Sequence, residues 1–277
     1  MATDRDVASH YSSGDLLSRL NASLVDDGVD PHHPSMDALA PYDQFHGRGL
    51  EATEEIAAGL RIAPTDHILD VGSGIGGPAR YFAHRFGCRV TGVDLTPEFC
   101  DVASHLTRLL HLEDKVTIEV GNALAMRFAD ASFDGAYSLN VAMNIADKAA
   151  LYGELRRVLK PGAWLVLSEV AKGEGAEPDY PTPWAASAQT SFLTTSEATR
   201  RGLEAAGFEV DRLTSTLEKT REFGARSRAL VERGDKALQR AVTLIHGERA
   251  TQIAANTARA LAESRMIPIE VLARRRG

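Results

Sequence analysis

The apolar positions of the chain change period several times, most sharply between His67 and Leu95. Ile68, Leu69 and Val71 form a short continuous apolar run, the pattern of a strand buried in a parallel sheet. The run breaks into Gly72, Ser73, Gly74, Ile75, Gly76 and Gly77. Pro78 stands where a first helical turn tolerates proline and Gly87 where a helix stop is wanted, so a helix is predicted between them. Val90 to Leu95 is a second strand, closed by Asp94. Beyond it, Pro97 to His111 reads as a helix, Val116 to Gly121 as a strand and Phe133 to Leu139 as a fourth strand. Lys148 to Leu159 is a helix stopped by Lys160-Pro161-Gly162, and Ala163 to Val170 is a fifth strand. Strands alternating with helices in this way predict a parallel, doubly wound α/β sheet, whose ligands sit beyond the carboxyl ends of the strands. Asp70, Asp94, Asn122, Asn140 and Glu169 fall at those ends, one per strand.

The flanks carry other patterns. Leu16, Leu17, Leu20 and Leu24 recur at helical spacing, predicting an amphipathic helix over Ser13 to Val25 with Ser13 as its cap. Asp30 to Pro41 reads as a connector. Pro41 to Leu60 starts as a loop crowded with Tyr42, Gln44, Phe45, His46 and Arg48, and becomes a helix ending at Gly59. Residues 171–195 are rich in Gly and Pro and too long for a plain connector, so an arch over the site is expected. Ser196 to Ala206 is a helix, Phe208 to Leu217 a strand, Glu218 to Arg265 long helices, and Ile267 to Leu272 a last edge strand. The expected division is a cap and loop over 1–60, a ligand-binding core over 61–217, and a helical extension over 218–277.

Composition narrows the partners. With 277 residues, 25% charged and a formal net charge of −7, the chain is expected to be soluble and to have no nucleic-acid partner. Arg274, Arg275 and Arg276 read as a solvated tail. No run of 18 apolar residues is present, which excludes a membrane-spanning helix at sequence level. Met1 to Asp6 lacks the apolar centre of a signal peptide. Cys88 and Cys100 form neither a disulfide framework nor a metal motif, so a cytoplasmic protein with buried free thiols is expected. His10, His32 and His33 show no metal spacing, and no metal is expected. The long C-terminal helices are compatible with a homodimer.

The glycine turn admits two nucleotides. Gly72, Gly74 and Gly77 fit G-x-G-x-x-G with Asp94 about 20 residues on, as a dinucleotide turn requires. Gly72, Gly74 and Gly76 equally fit G-x-G-x-G with Asp70 just ahead of them. A buried carboxylate there suits a cationic amino-acid tail and would repel a pyrophosphate. A turn that only packs helix against strand is the plain alternative. The run D-V-G-S-G-I-G-G at Asp70 to Gly77 resembles the first motif of class I S-adenosyl-L-methionine (SAM)-dependent methyltransferases. A-D-A-S-F-D-G-A-Y-S at Ala129 to Ser138 and K-P-G at Lys160 to Gly162 resemble later motifs. Three stretches are similar to the branch of sarcosine/dimethylglycine N-methyltransferases, phosphoethanolamine methyltransferases and tocopherol methyltransferases: D-Q-F-H-G-R-G-L-E-A-T at Asp43 to Thr53, G-G-P-A-R-Y at Gly76 to Tyr81, and N-I-A-D-K at Asn144 to Lys148.

That resemblance implies a Rossmann-like doubly wound sheet of the class I methyltransferase fold, with an N-terminal helical cap, a C-terminal helical extension and SAM as cofactor. It implies that Asp70 orients the methionine part, that Gly72, Gly74 and Gly76 pass beneath the ligand, and that Asp94 takes the ribose hydroxyls, with Ser73 and Leu95 in the cofactor-binding set. Asn122 and Ala123 would meet the adenine, Leu139 and Asn140 the sulfonium region, and Gln44 would join the cofactor set. Related sequences carry a His where this chain has Asn144. Asn does not titrate, so a positioning role is what is left to it. His46, Glu169 and Asn144 are the catalytic candidates, and Tyr11, Phe45, Asn144, Trp184 and Phe192 the substrate-binding ones. The expected function is SAM-dependent methylation of a small molecule, first the nitrogen of a small amine or amino acid. The alternatives are carbon methylation of an isoprenoid or aromatic precursor, an NAD-dependent oxidoreductase, and a non-catalytic SAM-binding partner.

Overall fold

The computed structural model describes residues 10–12 and 14–277. Its centre is a seven-stranded sheet of β1 (His67–Val71), β2 (Arg89–Asp94), β3 (Val116–Val120), β4 (Phe133–Leu139), β5 (Leu159–Lys172), β6 (Phe208–Ser215) and β7 (Met266–Arg275). Their order is β3-β2-β1-β4-β5-β7-β6. The first five run parallel, while β7 lies antiparallel between β5 and β6. The last strand is therefore interior, and β6 takes the edge that periodicity assigned to Ile267–Leu272. Buried Met266, Ile269, Val271 and Ala273 explain the place, since this alternation needs a covered face. A boundary at residue 218 would cut β7 from its own sheet.

Helices cover both faces. α3 (Gly49–Ala58) and α4 (Gly77–Phe86) lie over one face, where Ile56, Ala79, Phe82 and Tyr137 share a core. α6 (Lys148–Val158) and α7 (Ser196–Ala205) cover the other with Leu151, Leu155, Val158 and Leu203. α1 (Leu16–Asp26) and α2 (Met36–Asp43) pack Leu16, Leu20, Leu24, Leu39 and Tyr42 against Ile75 of the glycine turn and against Phe99, Val102 and Leu106 of α5 (Pro97–Leu109). The stretch expected to be a connector up to Pro41 is thus partly helix. The Ser35 hydroxyl caps it by accepting from Ala38 N–H, and buried Leu39 and Tyr42 hold it despite Pro41. Ser13, expected to cap α1, lies outside the described residues. Asp15 holds the cap position with its carboxylate paired to Arg19 at 2.9 Å, and Glu98 accepts from the Leu16 N–H at 2.8 Å in place of a cap bond.

Two elements differ from their predicted limits for visible reasons. β5 begins at Leu159, ahead of K-P-G, because Leu159 already pairs with Phe133. Trp164 is the next matched residue, opposite Gly135, so the residues between bulge out. The long helical stretch after β6 is broken into α8 (Leu217–Glu232), α9 (Ala241–His246) and α10 (Ala250–Ala262). These three stand over the carboxyl rim of their own sheet, beside the irregular 173–195 segment. That segment makes the expected arch, with Trp184 and Ala185 buried against Met143, Ala260 and Met266. Among the described residues no helix is long and apolar enough to cross a membrane.

Candidate active site

The first βα turn is tied to the sheet before anything can bind. Gly72 and Ser73 N–H groups both donate to the Val93 carbonyl, at 2.8 and 3.2 Å. Gly72 and Gly74 hold φ of +75° and +52°, where a side chain is strained. A Cβ on Gly72 would stand 2.2 Å from Val141, and one on Gly74 2.9 Å from the Phe45 ring. The turn is therefore threaded between the end of β4 and the loop ahead of α3. Asp94 closes β2 with both oxygens engaged: Oδ2 accepts from Gly74 N–H at 2.8 Å and Oδ1 from Thr96 N–H at 2.9 Å. Burial pushes its carboxyl up, and those two donors pull it back. Each oxygen accepts more than one bond, so the group is oriented and still able to take a diol.

One cavity of about 1110 Å³ opens from this turn. Most sequence-selected residues line it: Gly72, Gly74, Asp94, Leu95, Asn122, Ala123, Leu139, Asn140, His46, Asn144, Glu169, Tyr11, Phe45, Trp184 and Phe192. Asp70, Ser73, Gly76 and Gln44 do not. Asp70 is buried behind the wall and accepts from the Tyr137 hydroxyl at 3.1 Å. Burial raises its pKa to about 8. Gln44 is buried too, its Oε1 accepting from the Thr53 hydroxyl at 2.7 Å, so its side chain holds the loop.

The catalytic candidates are more constrained than their sequence context suggested. The His46 ring is buried, with Nε2 beside Thr53 Oγ1 at 2.9 Å and Nδ1 beside the Gly47 carbonyl at 3.2 Å. Burial lowers its pKa to about 4, so it is neutral near pH 7. Glu169 accepts from the Ala142 N–H at 3.1 Å. Burial pushes its carboxyl up, and that backbone donor counters. Asn144 accepts from the Tyr11 hydroxyl at 3.0 Å and donates to the Trp184 carbonyl at 2.7 Å. It joins the N-terminal segment, the end of β4 and the arch.

The far wall of the cavity was not anticipated. Phe223 and Val231 of α8, Val242, Ile245 and His246 of α9, Ala250, Ala254 and Ala258 of α10, and Met266 of β7 all line it. The signal that was present is the i, i+4, i+8 spacing of Ala250, Ala254 and Ala258, which puts small side chains on one helix face. Nothing local says what that face looks at.

The site fits a SAM-shaped ligand by its own chemistry. Gly72 and Gly74 bring backbone without a Cβ to the cavity edge, and the Asp94 carboxylate lines it with acceptor capacity left on both oxygens. Topology argues against a dinucleotide: two parallel mononucleotide halves would need a parallel sixth strand, and antiparallel β7 breaks the second half. Comparison with known proteins agrees. Residues 69–167 match the methyltransferase domain family. The chain is a SAM-dependent methyltransferase. Methyltransferase GfsG of Streptomyces halstedii is 29% identical, the match covering 80% of either chain. An O-methyltransferase of Pyrenophora dematioidea is 28% identical, over 75% of this chain and 77% of that protein. Phosphoethanolamine N-methyltransferases, sterol C-methyltransferases and a tocopherol methyltransferase match less than half of this chain. The fold of this methyltransferase is shared with the solved [4+2]-cyclase SpnF, at a TM-score of 0.72 and 23% identity, covering 99% of this chain and 97% of that one.

Proposed function

We propose that this methyltransferase acts on a bulky, largely apolar small molecule and delivers the methyl group to one of its hydroxyl oxygens. The carrying observation is the cavity. At about 1110 Å³ it exceeds what a single drug-sized ligand fills, roughly 300–1,000 Å³, so a second sizeable molecule fits beside the donor. Its far wall is built from Phe223, Val231, Val242, Ile245, Ile253 and Leu261, which suit apolar surface better than a small cationic amine. In sequence the phosphoethanolamine N-methyltransferases match less than half of the chain, whereas the two relatives matched over about three quarters of it include one named an O-methyltransferase.

SAM, when bound, supplies an electrophilic methyl on a sulfonium; the residues here bind, orient and exclude water. We assign Asp94 to the ribose hydroxyls, Leu95, Asn122 and Ala123 to the adenine side, Gly72 and Gly74 to close backbone approach, and Leu139 and Asn140 to the sulfonium end. Asp70, Ser73, Gly76 and Gln44 support that surface from behind. Tyr11, Phe45, Trp184 and Phe192 close over the donor and acceptor. His46 and Glu169 are assigned to holding the wall, not to proton transfer. His246 suits a hydroxyl acceptor. Its Nε2 lies 3.1 Å from the Pro183 carbonyl and must carry the proton, which leaves Nδ1 a buried acceptor without a partner. The same reading makes the enzyme cytoplasmic, free of nucleic acid and metal, with Cys88 and Cys100 as free thiols.

The test is transfer of tritiated methyl from SAM to a panel of sarcosine, phosphoethanolamine, prenyl alcohols and diphosphates, sterols and macrolactone alcohols. Label in an ether of one of the bulky apolar alcohols is expected. Label only in an amine would overturn the acceptor reading. SAM binding with no label in any product would point instead to a non-methylating use of the fold.

A further inference from the structure

We infer that Lys148 is a positioning residue for methyl transfer, holding the turn that carries Asn144 against the arch that carries Phe192 and Trp184. Lys148 itself is not in the cavity wall, but each group it bonds belongs to a segment that is. Its ammonium donates to the carbonyls of Ala142 and Phe192, both at 2.8 Å, and to that of Ile145. A charged lysine has three N–H protons, and three carbonyls take them. Ala142 is gripped at both of its backbone groups, because Glu169 accepts from its N–H at 3.1 Å while Lys148 donates to its carbonyl oxygen. The arch is stitched to this turn by three bonds: Phe192 N–H to the Met143 carbonyl at 2.8 Å, the Asn144 amide to the Trp184 carbonyl at 2.7 Å, and Lys148 to the Phe192 carbonyl. Met143, Asn144, Ile145 and Phe192 all line the cavity.

The ammonium is deep enough to matter. Burial lowers the Lys148 pKa, and the Glu169 carboxyl on β5 counters it. Glu169 also faces Tyr152, one turn further along α6, and Thr194 and Thr199 line the same small void with Lys148. A neutral amine keeps only two N–H protons, so loss of the charge leaves one of the three carbonyls without a donor. A loosened turn moves Asn144, and misplacement by about 1 Å near the reacting atoms costs on the order of 100-fold in rate.

The inference rests on the acceptor lying against Asn144, and its test has an arm independent of that. Lys148→Met and Lys148→Arg are compared with wild type in the full chain saturated with S-adenosylhomocysteine. Hydrogen exchange in Lys148→Met is expected to speed up in residues 141–146 and 187–193 and not in 67–95, with cofactor affinity by calorimetry within about twofold of wild type. With the best acceptor of the panel, Lys148→Met should lose about 10- to 100-fold in kcat/KM, and Lys148→Arg should recover part of it. Wild-type activity should fall at alkaline pH as the lysine loses its charge, and this limb should vanish in Lys148→Arg, because a guanidinium does not deprotonate in that range. Unchanged kcat/KM with a lowered Tm, or a cofactor affinity falling as far as kcat/KM, would sink the positioning role. If Lys148→Met fails to fold, persistence of the alkaline limb in Lys148→Arg decides against it. If the panel yields no acceptor, the proposed function fails, and the exchange arm alone decides whether Lys148 ties turn to arch.

Discussion

Asp94 shows how a single side chain can build and serve a site at once. Its oxygens fix the Gly74 and Thr96 N–H groups before any ligand arrives. Asp94→Ala is expected to weaken SAM binding at least tenfold by calorimetry, since each charge-assisted bond is worth about 1.5–3 kcal/mol. Asp70 gives a pH signature. Its folded pKa of about 8 lies above the ordinary carboxylate value, so the folded state keeps a proton that the unfolded chain releases. Wild-type stability therefore declines from this source as pH rises through roughly 4 to 8, by up to about 1.4 kcal/mol per pH unit. Asp70→Asn lacks that slope, and the Tm difference between variant and wild type should shift in the variant's favour between pH 5 and pH 8 in thermal melts without cofactor. Glu169→Gln keeps an oxygen able to accept from Ala142 N–H. A loss under about fivefold in kcat is expected from a holding role, and a loss beyond about 100-fold would return Glu169 to proton transfer in carbon methylation.

Among the elements, α8 is easily misread from sequence, because it is long and amphipathic yet buries no side chain fully. What ties it to the cap is charge, and the segment after it adds charge to neutral bonds such as Gln239 to the His46 carbonyl at 2.7 Å. Lys219 bonds to Glu55 and Arg226 to Glu51, both on α3, while Lys236 and Arg240 bond to Asp27 at the end of α1. Arg48, buried at 4% exposure, pairs with the same Glu55 and Glu51 from inside the loop. Exposed pairs of this kind are weak and screened by salt. Hydrogen exchange in α8 should therefore quicken from 50 mM to about 500 mM salt, roughly three Debye lengths to one, while α4 stays protected. Equal protection at both would mean that apolar packing holds it. The glycine turn is the opposite case. Its strand, turn and helix were legible because the apolar run, the glycines and Pro78 act within a few residues. The break of the C-terminal helical stretch and the helix through Pro41 were not, because distant contacts decide them: Arg240 N–H donates to the Pro41 carbonyl at 2.7 Å, and Leu39 and Leu244 share one core.

At the scale of the whole molecule, the far wall of the cavity is a product of topology. α10 turns its small side chains to the cavity, and Ala258→Phe should raise the acceptor KM by about tenfold or more, from an intrusion costing roughly 1–3 kcal/mol, with SAM affinity unchanged. Equal KM in the two proteins would place the acceptor elsewhere. The five polar residues at the strand ends were readable in order along the chain, since each strand announces its own carboxyl end, and four of them line the cavity. Asp70 sits behind the wall because its side chain turns to Tyr137 on the neighbouring strand. The sequence by itself determined the parallel half of the sheet, the glycine turn and the SAM-type motif, because those depend on short-range periodicity and on residues within one βα unit. Only the tertiary structure decided that β7 runs antiparallel inside the sheet, that Asn144 links Tyr11 to the arch, and that α8 to α10 wall the cavity. Those contacts join residues more than a hundred positions apart in several cases, and no local spacing encodes the pairing of surfaces that meet only when the chain has folded.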